Sequence, residues 1–203
     1  MNQSEAYETF FKRLSAELKS PLTLVLTGGA AAFLFGGSRP TLDLDFSAQP
    51  SKASAWDETA ALLNRMSEEL KLPVQYSEDI SRWSMISLLD WREHTLLYKK
   101  YGKLEVRLLH PKHWSIGKIS RGYDTDFEDI KVVLKLKNIP YEEIVPFWAQ
   151  ALRDSEPSSE VFQAKKLIEE FLKDYGKAIW GKDFDAKAAL ALFADGMAKG
   201  KKT

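Results

Sequence analysis

The amino-acid sequence predicts an α+β protein, in which a mixed β-sheet is flanked by helices and followed by a C-terminal helical portion. The apolar, β-rich run at 21–26 is short enough for a buried strand and stops at two glycines. Segments 4–19 and 53–70 instead repeat apolar residues with helical spacing, which predicts helices that cover a face of the sheet. Segment 94–109 predicts a hairpin that turns at Tyr101-Gly102. Two further short strands are expected at 73–76 and 85–89.

Beyond Asn138 the sequence has the pattern of a purely helical portion. Apolar residues recur with helical spacing, and turn signals such as Ser155-Glu156-Pro157-Ser158 separate the segments. The expected organisation is a first domain over 1–138, a helical portion over 139–198 packed on it, and a disordered tail over 199–203. The expected helices span 141–153, 161–175 and 184–197.

Composition excludes several classes of protein. With 203 residues, 44% of them hydrophobic, the chain is long and apolar enough to bury a core. It has no cysteine, which excludes disulfides, thiol catalysis and cysteine-based zinc sites. The three histidines, His94, His110 and His113, lack the spacing of a helical zinc motif, so we expect ordinary surface or packing roles. No long apolar run or signal-like leader is present, and we expect a cytoplasmic protein without a membrane partner.

Two glycines follow the first predicted strand and precede a short segment that favours helix. Glycine lets the backbone approach a ligand closely, and the first N–H groups of a helix point towards anions. Gly28 and Gly29 are therefore candidates for holding the phosphates of a nucleotide. A glycine pair alone is a weak signal.

Polar and apolar residues alternate in the segment that follows. Alternate side chains of a strand share a face, so Thr41, Asp43 and Asp45 are expected on one face. Neighbouring carboxylates repel each other, and a divalent cation relieves that repulsion. Magnesium, or manganese, suits such oxygen ligands and keeps waters that phosphate oxygens can replace. The alternative is that both aspartates are solvated residues of an edge strand. The side chains expected to face the core are Leu42, Leu44 and Phe46.

The glycine pair and the Asp-x-Asp segment together resemble the nucleotidyltransferase superfamily, whose fold is shared by polymerase beta, antibiotic nucleotidyltransferases and several bacterial toxins. The superfamily pattern is a Gly-Gly or Gly-Ser turn, about a dozen residues and then Asp-x-Asp, which Gly28-Gly29 and Asp43-Leu44-Asp45 match. The variant from Arg39 to Phe46, Arg-x-Thr-x-Asp-x-Asp-Phe, is most similar to AbiE-type and MenT-like toxin enzymes. The resemblance covers residues 22–130 and implies a polymerase beta-like sheet, with 1–138 as the catalytic domain.

A second segment adds to the resemblance. Toxin-like members carry a lysine, then an arginine and an Asp-x-x-Asp, and this chain has Lys118, Arg121, Asp126 and Asp129 in that order. By analogy, Lys118 contacts nucleotide phosphate and Asp126 helps to organise the site, whereas Arg121 and Asp129 tie two helices together. Without the resemblance these are ordinary helix charges, and an aspartate near a helix N-terminus is favourable in any protein.

The resemblance implies a set of site residues. Many members use a third strand carboxylate, and Glu105, on the second hairpin strand beside Arg107, is the candidate. Two alternatives stay open: Glu105 is a solvated neighbour of Arg107 and Lys103, or Asp126 takes the third place. The expected metal ligands are Asp43, Asp45 and Glu105. The expected catalytic residues are Asp43, Asp45, Lys118 and Asp126, and the expected nucleotide contacts are Gly28, Gly29, Arg39, Thr41 and Lys118.

Basic residues concentrate at 99–121, although the formal net charge of the chain is zero. The stretch holds one acid, Glu105, and its cations either form a basic face for RNA or are solubilising surface charges. The cations are Lys99, Lys100, Lys103, Arg107, Lys112, Lys118 and Arg121.

The function that the resemblance implies is magnesium-dependent transfer of a nucleoside monophosphate from a nucleoside triphosphate (NTP) to an acceptor hydroxyl. The toxin-like pattern favours RNA, such as the 3′ end of tRNA, or a protein as the acceptor, and an antitoxin protein as a partner. Two other functions stay open. One is a transferase acting on a small molecule such as an aminoglycoside, and the other is a non-catalytic relative that binds a nucleotide or a partner.

Overall fold

A five-stranded mixed sheet is built from strands that lie far apart in the sequence. The computed structural model describes residues 2–41 and 43–199. The strands are β1 (Leu22–Leu26), β2 (Leu44–Pro50), β3 (Val74–Ser77), β4 (Thr95–Tyr101) and β5 (Leu104–Leu109). Their order across the sheet is β3-β2-β1-β5-β4, in which β1 is antiparallel to β2 and parallel to β5. The predicted α+β class with a mixed sheet flanked by helices is confirmed.

The chain divides into two compact units. The first contains the described residues of Met1–Leu34, Ser38–Ile80 and His94–Leu109, which hold the sheet together with α1 (Gln3–Glu17), α2 (Gly28–Leu34) and α3 (Trp56–Leu70). The second contains Phe35–Gly37, Ser81–Glu93 and the described residues from His110 onwards. Its helices are α4 (Pro111–Ile119), α5 (Asp124–Leu136), α6 (Tyr141–Arg153), α7 (Ser159–Trp180) and α8 (Ala186–Ala198).

This division differs from the predicted boundary after Asn138. Helices α4 and α5 belong to the second unit, because both contact α7 and α4 also contacts α6. The predicted tail lies outside the described residues, except for Lys199. Among the described residues, no helix combines the length and the apolar character that crossing a lipid bilayer requires.

One face of the sheet in the first unit is apolar and covered by helices. Leu24, Phe46 and Val106 are fully buried on this face. The ring of Tyr76 stacks on Phe46, and its hydroxyl donates a hydrogen bond to a backbone oxygen of α3. On the same face, at the edge formed by β4, Phe11 of α1 packs on Tyr101. The predicted role of the two long helices, to cover a sheet face, is therefore confirmed.

The opposite face carries the polar side chains. Thr23 of β1 lies between Gln49 of β2 and Glu105 of β5 in the register of the strands. Asp45 has the same strand parity as Gln49, and it therefore projects to this face as well. The polar face is the part of the first unit that presents the predicted acidic residues.

Other predicted elements are confirmed or corrected in detail. The hairpin turns at Gly102-Lys103, one residue later than predicted, with Gly102 at φ +53°. Helix α6 has the predicted bounds, whereas α7 continues past Gly176 to Trp180. The missing side chain of Gly176 makes room for the ring of Phe184. Segment 85–89 is not a strand. Serine hydroxyls accept hydrogen bonds from the backbone N–H groups of Ile86 and Leu89, which in a strand would bond to a neighbouring strand.

Candidate metal and nucleotide site

The two glycines of the predicted turn are the first two residues of α2. Helix α2 begins directly after β1, and the N–H of Ala31 donates to the oxygen of Thr27. Gly28 has φ +59°, a conformation that residues with a side chain rarely adopt. The helix therefore starts two residues earlier than the helical preference of the alanines indicates.

Both glycines make room for the acidic segment that follows. A Cβ atom on Gly28 would overlap with Oδ2 of Asp45, and one on Gly29 would lie 2.6 Å from Oγ1 of Thr41. A side chain at either position would therefore displace a residue of the predicted site. The sequence did not predict this role, which is separate from the expected contact with phosphate.

The aspartates lie at the beginning of β2. The strand begins at Leu44, so Thr41 and Asp43 precede it, which corrects the prediction that the strand already includes them. The predicted alternation is seen in the described residues: Leu44 and Phe46 are fully buried, whereas Asp45 is half-buried. Leu42 lies outside the described residues.

Hydrogen bonds fix the orientation of the acidic segment. The hydroxyl of Thr41 donates to Oδ1 of Asp43 at 2.8 Å. The N–H of Thr27 donates to the backbone oxygen of Asp45 at 2.8 Å, which attaches the start of β2 to the end of β1. Oδ1 of Asp45 is itself buried. Arg39, another of the predicted nucleotide contacts, is exposed in the loop that leads to Thr41.

Two residues of α1 contact this segment, and sequence reasoning did not identify them. The side-chain amide of Gln3 donates to the backbone oxygen of Thr41 at 3.2 Å and to the hydroxyl of Tyr7 at 2.7 Å. The hydroxyl of Tyr7 donates in turn to the backbone oxygen of Asp43 at 3.3 Å. The helical spacing of α1 identifies Tyr7 as a core residue, but no sequence signal shows which loop its hydroxyl reaches.

The charges of Asp43 and Asp45 both influence the hydroxyl of Tyr7. Burial is the main reason why the pKa of Tyr7 is raised to about 12, and the hydrogen bond from Gln3 opposes that change. The negative charges of Asp43 and Asp45 each raise the pKa further. Tyr7 is therefore a neutral donor at physiological pH, and the two aspartates lie close enough to share its electrostatic environment.

The chemistry of these groups fits a hard divalent cation. Asp43 and Asp45 offer carboxylate oxygens, which Mg²⁺ and Mn²⁺ prefer over nitrogen or sulfur. The overlap of a Cβ at Gly28 with Asp45 shows that the chain keeps space for this carboxylate at the start of α2. Asp43 and Asp45 are therefore candidate ligands for such a cation.

Glu105 lies too far along the sheet to join them. Glu105 pairs with Thr23 in the strand register, whereas Asp45 is hydrogen-bonded to Thr27, four residues further along the chain. Four residues of strand are about 13 Å at about 3.3 Å per residue. The structure therefore does not bring Glu105 to the aspartates as the expected third metal ligand.

The carboxylate of Glu105 is instead held by two cations. Lys100 Nζ lies 2.8 Å from Oε2, and Arg107 Nη1 donates to Oε1 at 2.6 Å. These hydrogen bonds, the one from Lys100 first, lower the pKa of Glu105 below its usual value. The structure therefore matches the predicted alternative in which Glu105 is a surface neighbour of Arg107. Its second cationic neighbour is Lys100, whereas the prediction named Lys103.

In the second unit, the predicted residues of α4 and α5 form a compact ion-pair network. The ammonium of Lys118, whose side chain is only 3% exposed, donates to Asp126 at 2.6 Å and to Asp129 at 2.7 Å. Arg121 donates to both oxygens of Asp126. The network joins the end of α4 to the start of α5. Arg121 and Asp129 were predicted to tie two helices together, and Lys118 and Asp126 take part in the same network.

Every cation of the basic stretch 99–121 has a partner within its own unit. This arrangement matches the reading of these residues as structural or solubilising charges more closely than an open basic face. The partners are Glu8 for Lys99, Glu105 for Lys100 and Arg107, backbone oxygens of Leu18 and Lys19 for Lys103, Glu143 for Lys112, and the network described above for Lys118 and Arg121.

Two histidines of the second unit have different roles: His113 packs in the interior, and His110 caps a helix, which was not predicted. The ring of His113 is buried against Phe147, with its Nε2 3.8 Å from Oδ1 of Asp90. Nδ1 of His110 accepts a hydrogen bond from the N–H of Lys112 and caps α4.

Comparisons of the chain with models of known protein families, with curated proteins and with solved structures gave no match. Support for a function therefore comes from the residues themselves. The relevant geometry is the convergence of Gly28, Gly29, Thr41, Asp43 and Asp45 in the first unit.

Proposed function

We propose that Asp43 and Asp45 bind a divalent cation and that the protein is a magnesium- or manganese-dependent nucleotidyltransferase. One observation carries the proposal: the start of α2 lacks side chains where Asp45 and Thr41 lie, and Thr41 in turn holds Asp43. The superfamily pattern of two glycines followed by Asp-x-Asp supplies the reaction class. The polymerase beta-like fold is part of the same proposal.

Each residue has a role that follows from its contacts. Asp43 and Asp45 hold the cation, which when bound neutralises charge on the phosphates of an NTP. Thr41 orients the carboxylate of Asp43 through its hydrogen bond. The missing side chains of Gly28 and Gly29 leave room for Asp45 and Thr41, and contact of these two glycines with the phosphates is proposed from the resemblance alone. Arg39, exposed in the adjoining loop, adds positive charge for the nucleotide.

The proposed reaction is a substitution at the α-phosphorus of the NTP. An oxygen of the acceptor hydroxyl forms a bond to that phosphorus, and the bond from phosphorus to the pyrophosphate oxygen breaks. The proton of the hydroxyl passes to the carboxylate of Asp43 or Asp45, which acts as the base. The protein then contributes mainly by positioning the reactants and by balancing charge.

The proposed acceptor is an RNA hydroxyl, such as the 3′ end of tRNA, or a protein hydroxyl. The basic stretch adds no support for RNA, because its cations have partners within the chain. The catalytic roles of Lys118 and Asp126 stay predictions that rest on the resemblance alone. An antitoxin protein remains a proposed partner on the same ground.

The test is transfer of radiolabel from each α-labelled NTP, with Mg²⁺ or Mn²⁺, to total tRNA or to the proteins of a cell lysate. We expect Asp43→Asn and Asp45→Asn to reduce labelling by about 100-fold or more, because each removes a charge that holds the metal. Asp57→Asn is the matched control, since Asp57 is exposed in the first turn of α3. Undiminished labelling in either site variant, or no binding of any NTP by the wild type, would refute the proposal.

A further inference from the structure

The N-terminal turn of α1 is attached to the acidic segment through side chains. Gln3 bonds both backbone groups of Thr41: its amide donates to the oxygen at 3.2 Å, and its Oε1 accepts from the N–H at 3.4 Å. Gln3 and Thr41 are 38 positions apart in the sequence. The bonds between them therefore attach the loop before β2 to helix α1. The segment that carries Asp43 is therefore held from outside its own strand.

Tyr7 connects three parts of the first unit. Its hydroxyl donates to the backbone oxygen of Asp43, and its ring packs edge-on against Phe33 of α2 at a centroid distance of 6.0 Å. Gln3 donates to the same hydroxyl at 2.7 Å and thereby directs its proton towards Asp43. One side chain thus links α1, the helix that begins with the glycine pair, and the aspartate.

The N-terminal end of α1 is fixed by a helix cap. Asn2 caps the helix by accepting from the N–H of Glu5, and the Glu5 carboxylate accepts from the N–H of Asn2. This reciprocal cap fixes the turn that contains Gln3. Tyr7 is 1% exposed, so its ring is held by packing.

We propose that Gln3 and Tyr7 are positioning residues that hold Thr41 and Asp43 in the conformation that binds the divalent cation. The inference rests on the proposed function. Neither residue is expected to touch the metal, because Tyr7 bonds the backbone oxygen of Asp43 and Gln3 bonds the backbone of Thr41. Groups that orient metal ligands in this way typically change metal affinity by about 10- to 100-fold when they are lost.

The experiment measures Mn²⁺ binding by the full chain, by electron paramagnetic resonance of the free ion, together with the melting temperature of each variant. Tyr7→Phe removes the hydroxyl and keeps the ring. Gln3→Ala removes the bonds to Thr41. We expect each to weaken Mn²⁺ binding by about tenfold, the lower end of that range, because each removes hydrogen bonds that preorganise a ligand but leaves the carboxylates in place.

Tyr76→Phe is the matched control. Tyr76 is also part-buried in the first unit, but its hydroxyl donates to Ala60 and Asn64 of α3 on the covered face of the sheet. We expect this variant to lose a similar amount of thermal stability and to keep the Mn²⁺ affinity of the wild type. A purely structural role of Tyr7 would give the two phenylalanine variants the same Mn²⁺ affinity.

Asp45→Asn separates failure of this inference from failure of the proposed function. If it abolishes Mn²⁺ binding while Tyr7→Phe and Gln3→Ala bind like the wild type, the positioning role is overturned and the metal site stands. If the wild type binds no Mn²⁺, or Asp45→Asn binds as tightly, the metal site is overturned and the positioning role with it. Should Tyr7→Phe not fold, Gln3→Ala alone decides the inference.

Discussion

Two regions of the molecule each contain a pair of aspartates, and the side chains that hold Asp126 differ from the one that holds Asp43. In the second unit, Asp126 and Asp129 receive hydrogen bonds from the ammonium of Lys118, and Asp126 also receives two from Arg121. In the first unit, Asp43 accepts a hydrogen bond from a neutral hydroxyl, and Asp45 lies against a residue without a side chain.

The difference indicates what each pair is for. Buried carboxylates that are balanced by cations of the same chain have a structural role, because removal of one partner would leave the other charge buried and unpaired. Asp43 is instead held by the hydroxyl of Thr41 and by the backbone bond from Tyr7, and in our proposal its carboxylate binds a cation from solution. The same residue type therefore serves structure in one unit and, in our proposal, chemistry in the other.

The largest effect on stability is expected from Asp126→Ala. This change leaves the buried ammonium of Lys118 with one carboxylate partner, and removing one member of a buried ion pair costs about 3–5 kcal/mol. The measurement is urea unfolding followed by tryptophan fluorescence. Asp174→Ala, an exposed position on α7, is the control. A loss below about 1 kcal/mol would mean that the network does not stabilise the second unit.

Gly28→Ala is expected to destabilise the first unit by about 1–3 kcal/mol, because the new Cβ overlaps with Asp45 and the backbone has φ +59°. Mn²⁺ affinity should fall with it, since Asp45 must move. Gly181→Ala is the control, because Gly181 also has a positive φ but no atom within 4 Å of a Cβ. If both variants lost the same free energy of unfolding, backbone strain, rather than the displaced aspartate, would be the cause of the destabilisation.

Glu105 is an intermediate case, since its carboxylate is paired with cations but lies at the surface. Its folded pKa is lowered, first by Lys100 and then by Arg107, so its contribution to stability is present above its unfolded pKa and is lost as the pH falls through the folded value. Between pH 7 and pH 3, we expect the free energy of unfolding of the wild type to fall by up to about 1 kcal/mol more than that of Glu105→Gln. Urea unfolding of both proteins across this range measures the difference. Parallel pH profiles would contradict the assignment.

The smallest effect on stability is expected from Asp43→Asn. The amide oxygen of asparagine can still accept the hydrogen bond from Thr41, so the free energy of unfolding should change by no more than about 0.5 kcal/mol. This variant is the one expected to lose transfer activity. A destabilisation above about 2 kcal/mol would show that the charge of Asp43 is structural, and the contrast between the two units would disappear.

Local patterns predicted much of the fold. Strand β1, the hairpin of β4 and β5, and helix α6 follow from periodicity and turn residues within short windows. The strand predicted at 85–89 was wrong because the alternation of apolar residues there reflects burial of Ile86 and Leu88 without a neighbouring strand. Periodicity reports which side chains are buried, but it does not report whether a hydrogen-bonding partner exists for the backbone.

The site was predicted in part. The glycines, Thr41 and the aspartates were identified from a local motif, and the structure brings these residues together. Glu105 was included because it is a strand carboxylate, but the parallel register of β1 and β5 places it level with Thr23. Register depends on how distant strands pair, and no window of sequence contains that information.

The sequence by itself determined the α+β class, most elements and the acidic motif after the glycine pair, because each depends on residues within a few positions of one another. Only the tertiary structure decided that α4 and α5 belong to the helical unit, that Lys118 is enclosed by carboxylates, and that Gln3 and Tyr7 hold the acidic segment. These features depend on contacts between side chains and on pairings that span tens of residues. Hydrophobic periodicity is compatible with many such packings, and the hydrogen bonds and ion pairs of the folded chain select one of them.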